Sequence, residues 1–350
     1  MITSAFASIP FMKTKAPLAA CALVVFLILP TPGYSQWITQ HVQLVPGWNA
    51  VYLEVQPEPR ECNDVFRDTP VESVWKWDRR FSTIQFAVDP ETLLPESPDW
   101  LVWLPASDPR AFLNRLFGLQ GCQSYLIKVA TNATPFTLNI KGRVAFPRLD
   151  WYPHGLNLVG LPVHPNNPPT FAEFFRVIPE VNISRGFANE LYKVDSQGRS
   201  QRIVQPARER IQPGVAYWIG CSRAPANQAV LSVTPPSGTV DFGTWLVRED
   251  ITLRNIDLTK AHAIRMILRN SESPPPTGDY PELAGPVPLS YLSRDSSNQW
   301  AWSDFPATGL SQSLAPGEAW VIPMGVRRSD FEPYTPHGTN GAAYQSKVGS

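Results

Sequence analysis

Thirty-seven of the 350 residues are proline, about twice the usual share, and they are spread along the whole chain. Proline donates no backbone hydrogen bond and clashes with the preceding helical turn. At this density long helices are excluded, and short strands joined by rigid turns are favoured. The apolar residues carry the matching rhythm. Val51, Leu53 and Val55 recur at every second position, and so do Val159, Leu161 and Val163. That is the period of a strand with one buried face.

These two strands belong to a longer internal match. Gly47-Trp48-Asn49-Ala50-Val51-Tyr52-Leu53-Glu54-Val55-Gln56-Pro57 aligns without gaps on Gly155-Leu156-Asn157-Leu158-Val159-Gly160-Leu161-Pro162-Val163-His164-Pro165, at an offset of 108 residues. The same offset carries Phe66 onto Phe174. Val74-Trp75-Lys76-Trp77-Asp78 answers to Leu191-Tyr192-Lys193-Val194-Asp195, and Leu119-Gln120-Gly121 before Tyr125 answers to Ile211-Gln212-Pro213-Gly214 before Tyr217. A closing strand is predicted in each, at 136–140 and 229–233. One brief helix is predicted in each as well, at 109–117 and at 170–177, where Thr170 can cap.

The remainder differs. Residues 240–245 and 251–255 read as strand, turn and strand, and 263–268 continue the alternation. Residues 274–288 form a long proline-rich loop. Pro316-Gly317 before Trp320-Val321-Ile322 echoes Pro213-Gly214 before Tyr217-Trp218-Ile219. Tyr344 to Val348 has the look of a strand just starting as the chain stops. The expected fold is all-β: β-module 1 over 36–147, β-module 2 over 148–236 as its repeat, an immunoglobulin-like β-sandwich over 237–335, and a disordered or truncated tail over 336–350.

Residues 1–35 are expected to be a signal peptide. Lys13 and Lys15 precede an apolar run over 16–30, which Pro30, Pro32 and Gly33 end. Gly33-Tyr34-Ser35 places small residues at −3 and −1, so cleavage is expected between Ser35 and Gln36. The run falls short of the roughly 20 apolar residues a membrane helix needs, and no later segment supplies them. Met12 offers an alternative start. Leu18-Ala19-Ala20-Cys21 has the form of a lipobox, but the apolar run continues past Cys21, against lipidation. With the two lysines removed, 28 basic side chains face 30 acidic ones, a net of about −2. Bulk charge therefore argues against nucleic acid as a partner.

An exported chain can form disulfides. Cys62 and Cys122 fall in the same module and are the candidate pair, leaving Cys221. The alternative reading makes all three small buried apolar side chains. Their spacings fit no zinc site.

Two resemblances follow from these motifs. Gly47-Trp48-Asn49 with its alternating aliphatics and Pro57, then Val74-Trp75-Lys76-Trp77-Asp78, then Gly121 before Tyr125-Leu126-Ile127-Lys128 resembles repeat modules of large secreted bacterial surface proteins. The resemblance covers 44–143 and, more loosely, 151–235. It implies a β-rich extracellular module with no defined activity. Val240-Asp241-Phe242-Gly243-Thr244 and Ile251-Thr252-Leu253-Arg254-Asn255 look like the opening strands of the immunoglobulin-like domain of the abnormal-spindle and hydin type, which implies a sandwich used for interaction.

Chemistry-bearing motifs are scarce. Serine-hydrolase elbows, the zinc-protease His-Glu-x-x-His, phosphate loops and calcium loops are missing from the sequence. The histidines are His41, His154, His164, His262 and His337. His154 and His164 flank one strand, whose rise of about 3.3 Å per residue keeps them from sharing a metal. Asp78, Asp89, Asp99 and Asp108 show no pairing of the kind glycoside hydrolysis needs. No catalytic, cofactor-binding or metal-binding residue is predicted. Trp75 and Trp77 share a strand face expected to be core. The segment from Trp100 to Trp103, between Pro98 and Pro105, is expected to present an exposed aromatic patch. Such a patch stacks on sugars or anchors a partner.

The sequence thus predicts a secreted or cell-surface structural or adhesive protein without catalytic activity, whose partners are other surface proteins or glycans. A carbohydrate-binding accessory protein using exposed tryptophans is the alternative. A secreted hydrolase with an unrecognised site is the third.

Overall fold

The structure, a computed structural model, describes residues 37–78, 100–145, 149, 151–181, 190–227, 229–234, 242, 248–276, 288–327 and 346–349. The expected cleavage site at Ser35 and Gln36, Cys21, Asp89, Asp99, His337 and all of 240–245 but Phe242 lie outside these residues. The fold is predominantly β, in antiparallel sheets, as the proline content and the period-two patterns require.

The first region contributes β1 (Trp37–Leu44), β2 (Gly47–Leu53), β3 (Val55–Pro57), the single-turn helix α1 (Cys62–Val65), β4 (Val71–Trp77), β5 (Trp100–Trp103), β6 (Gln123–Val129) and β7 (Phe136–Val144). They form a three-stranded sheet of order β1-β7-β3 and a four-stranded sheet of order β2-β6-β4-β5. Val42, Leu44, Val51, Leu53, Val74, Trp103, Tyr125, Ile127 and Leu138 fill one apolar cluster between these sheets.

The second region contributes β8 (Gly155–Gly160), α2 (Phe171–Phe175), β9 (Leu191–Val194), β10 (Ser200–Arg202) and β11 (Ala216–Cys221), in a sheet of order β10-β9-β11-β8. Its core is continuous with the other face of the β2-β6-β4-β5 sheet, where Trp48, Ala50, Tyr52, Trp75, Trp100 and Leu126 meet Leu156, Leu191 and Trp218. The four-stranded sheet of the first region is therefore apolar on both faces, with odd and even residues serving different cores. That is why all seven residues of β2 are buried. Close approach shapes the seam: a Cβ added at Gly160 would fall on the Tyr52 ring. Tyr52 N–H donates to the Gly214 carbonyl at 2.8 Å, and Trp48 N–H to the Ser196 carbonyl at 2.8 Å.

The same polar device occurs in both regions. Asn49 Nδ2 donates to the Val45 and Gly47 carbonyls and its Oδ1 accepts from Val45 N–H. Asn157 Nδ2 donates to the Tyr152 and Gly155 carbonyls and its Oδ1 accepts from Tyr152 N–H. Tyr125 Oη accepts from Gln120 N–H at 2.8 Å, and Tyr217 Oη from Gln212 N–H at 3.0 Å.

The helices differ from expectation. Residues 109–117 hold only a 3-10 turn at Ala111–Leu113, and the helix of the first region is α1. Arg115 and Leu116 N–H both donate to the Val102 carbonyl, which draws that stretch out into a strand-like return. α2 begins where expected, with a full capping box between Thr170 and Glu173. Glu61 bridges to Gly118 as Thr170 bridges to Arg210.

The third region contributes β12 (Leu231–Thr234), β13 (Arg248–Asn255), β14 (His262–Asn270), β15 (Leu289–Arg294), β16 (Trp300–Asp304), β17 (Leu310–Leu314), β18 (Ala319–Val326) and β19 (Ser346–Gly349). A five-stranded sheet of order β12-β13-β18-β15-β16 and a three-stranded sheet of order β17-β14-β19 share one core of Ile251, Leu253, Ile264, Met266, Leu314, Ile322 and Met324. The expected closing strand of the second region does form, as β12, but it pairs with β13 of the third. Inside the expected tail, β19 pairs with β14.

The third region also grips the other two. Trp37 N–H donates to Ser271 Oγ at 2.9 Å, and Glu272 takes Thr39 Oγ1–H and N–H. Asp257, buried at 1% exposure, pairs with Arg176 just beyond α2 and with His262 Nε2 at 2.9 Å.

Candidate functional site

The expected aromatic patch is not where the sequence placed it. Trp100 and Trp103 are 2% and 5% exposed. The segment between the prolines is not a loop but β5, paired with β4 from Val74↔Trp103 to Trp77↔Trp100. Period-two alternation sends Trp100 to the seam, edge-on to Trp75, Trp77 and Trp218, and Trp103 to the opposite core against Phe66. Neither ring can stack on a ligand.

The candidate disulfide is likewise absent: Cys62 and Cys122 are not joined. They sit against different cores. Cys62 packs within the cluster holding Tyr125, and burial pushes its thiol up to about 12. Cys122 adjoins Tyr52, whose hydroxyl burial and this neighbour hold far above its ordinary value. Tyr52 and Tyr125 point to opposite faces of one sheet, which keeps the two sulfurs apart.

His41 Nδ1 faces Asn139 Oδ1 at 2.7 Å across β1 and β7, His154 occupies a turn at φ 58°, and His164 Nδ1 accepts from Asn166 N–H. Arg110 holds the carboxyl of Asp108 below its ordinary range in a solvent-facing turn, and Asp78 is buried. Among the described residues, no group of three His, Cys, Asp or Glu side chains gathers to hold a metal ion. No helix among them is long and apolar enough to cross a membrane.

Exposed aromatic surface does exist elsewhere. Of the described tryptophans, Trp300 and Trp302 are the only ones largely open to solvent, at 60% and 48%. Both lie on β16, the last strand of the five-stranded sheet. Ala301, Ser303 and Phe305 have the parity that faces the core, and Phe305 packs edge-on to Tyr291. Trp300, Trp302 and Asp304 therefore project from the outward face. Next to them on β15 stand Arg294, opposite Trp300, and Leu292, opposite Trp302. β18 adds Val321, 51% exposed, and Pro323 on the same parity.

The result is a largely apolar ledge. An exposed cluster of this kind marks a contact surface in a soluble protein. Its charges are mostly matched. Arg327 pairs with Asp304, and Arg248 pairs with Asp250, holding that carboxyl below its ordinary range. Arg294 stacks over the Trp300 ring with its guanidinium carbon 4.8 Å from the centroid, and donates to the Asn298 carbonyl and Oδ1. Such a surface offers π-faces and a few polar donors, with neither a nucleophile nor a paired acid and base.

Sequence reasoning passed over Trp300 and Trp302 because Trp75-Lys76-Trp77 shows the same spacing. The distinguishing signal was Asp304. It shares parity with both tryptophans, so their face is the one that meets water.

No protein-family model matches the chain, and no curated protein or solved structure matches it either.

Proposed function

We propose that the chain is an exported structural or adhesive protein without catalytic activity, acting at the cell surface or outside the cell. In this reading, residues 36–147 and 148–236 are two copies of one β-module. The matched turns at Asn49 and Asn157, the matched Tyr125 and Tyr217 hydrogen bonds and the matched helix bridges support it. The third region would be an immunoglobulin-like unit, a reading its two sheets about one core are consistent with. The observation that carries the function is the pair of exposed tryptophans on the outward ledge, where buried rings are the rule elsewhere.

The ledge also favours a second reading, a carbohydrate-binding accessory protein, with Trp300 and Trp302 in the role first expected of Trp100 and Trp103. Exposed aromatic rings flanked by a few donors suit the apolar faces of neutral sugars.

Binding of the purified secreted chain to cell-envelope preparations and to a glycan array tests both readings. The expected result is retention that weakens at least about tenfold in the Trp300→Ala/Trp302→Ala variant, as for an interface anchored by aromatics. Retention on envelopes without a glycan signal selects the adhesive reading, and a glycan signal selects the accessory one. Undiminished binding by the double variant removes the ledge from either role.

A further inference from the structure

We propose that β16 is a self-pairing edge, through which two copies of the chain join their five-stranded sheets into one antiparallel sheet. The inference concerns the strand's backbone, and it stands whatever the ledge binds.

The hairpin fixes which backbone groups are free. Asp295 N–H donates to the Gln299 carbonyl at one end of the β15–β16 pair, and Phe305 N–H to the Leu289 carbonyl at the other. In an antiparallel ladder, bonded residues alternate with non-bonded ones. Residues 301, 303 and 305 are thus the ones bonded to β15, and the peptide groups of Trp300, Trp302 and Asp304 point out of the sheet. Among the described residues no strand takes them, since β16 ends its sheet.

Natural edges are blunted by proline, lysine, bulges or brevity. β16 has no proline, lysine or bulge. It runs five residues in unbroken register with β15. The opposite edge, β12, is four residues long.

Two-fold symmetry then selects the partner. A second β16 laid antiparallel and centred on Trp302 sets Trp302 against Trp302 of the other copy, and Trp300 against the other copy's Asp304. All are positions whose backbone groups face outward, so the ladder closes. Arg294 already stacks on Trp300. The carboxylate of Asp304, already held by Arg327 within its own copy, is thereby brought beside a second guanidinium, and by symmetry this happens twice. A contact of one patch with itself is the closed, isologous kind. Its charge complementarity names a second copy of this chain as the occupant.

Sedimentation velocity of the full secreted chain over a range of concentrations tests the proposal. Wild type should form a reversible dimer. Trp302→Lys puts like charges at the centre, and Asp304→Arg sets an arginine against Arg294. Each should raise the dissociation constant at least about tenfold. The Arg294→Asp/Asp304→Arg exchange restores the charge pair and should recover the dimer. All three positions are solvent-facing, and circular dichroism checks that the variants fold. A wild type that stays monomeric at its solubility limit overturns the proposal. So does a dimer indifferent to Trp302→Lys, or an exchange variant that remains monomeric.

Discussion

Asn157 ties its amide to the backbone of the turn at Tyr152 and Gly155. It is 3% exposed, and its Nδ2 also lies 3.4 Å from the Ile219 carbonyl across the β8–β11 pair. Asn49 does the same with Ile127. Truncation strands buried backbone groups at about 1–3 kcal/mol for each uncompensated loss. Asn157→Ala should therefore lower unfolding free energy by about 2–3 kcal/mol in urea titration, while exposed Asn166→Ala changes it little. Equal effects would show that the amide is not the pin. The motif was legible in the sequence as the matched Gly47-Trp48-Asn49 and Gly155-Leu156-Asn157, which keep one spacing. What the spacing left open was the reach of the amide to the neighbouring strand, β11 for Asn157 and β6 for Asn49. Trp100 misled for a related reason: its flanking prolines look like loop boundaries, yet proline is compatible with the ends of a strand.

At the level of elements, α2 shows how little helix this chain needs. Five residues are too few to stand alone, so the helix relies on its cap and on Phe171, Phe174 and Phe175, all buried. Thr170 Oγ1 accepts from Glu173 N–H, and the Glu173 carboxylate, held below its ordinary range by Thr170, returns the bond. Thr170→Ala should cost about 1 kcal/mol of stability, measured by denaturant titration, with Thr170→Ser recovering most of it. A Ser variant no better than Ala would assign the effect to packing instead. Strand positions were legible from alternation in part: β13 covers the expected 251–255, whereas β8 ends at Gly160 and leaves Leu161 and Val163 of the expected alternation outside the strand. Strand partners were not. β12 carries the apolar signature of a closing strand, but which sheet it closes depends on contacts with β13 that no local pattern encodes.

Across the whole molecule, one carboxylate ties the second region to the third. Burial opposes the charge on Asp257, but bonds from His262, from Thr259 and from Arg176 outweigh it and hold its carboxyl well below the ordinary value. A depressed folded-state value contributes stability that is complete above the unfolded value, near pH 4, and is lost as pH falls below it. Acid titration of the unfolding midpoint should show a steep loss below about pH 4 that flattens in Asp257→Asn. An unchanged acid limb in that variant would remove Asp257 from the junction. The seam between the first two regions was beyond the sequence for a different reason. Trp77, Trp100 and Trp218 look like any core aromatics until two sheets are laid together, when they meet edge-on across the boundary.

The pairing of β1 with β7 has a further consequence, for the order in which the chain acquires its shape. His41 and Asn139 are neighbours in space and 98 residues apart in sequence. If the chain crosses a membrane amino end first, β1 emerges without a partner. It waits until nearly all of the first region has followed, and the second face of the β2-β6-β4-β5 sheet waits longer still. Closing such distant contacts is slow, and open strand edges invite wrong pairings meanwhile. On such a route, the time between emergence and closure would be when the first region is most open to wrong pairing.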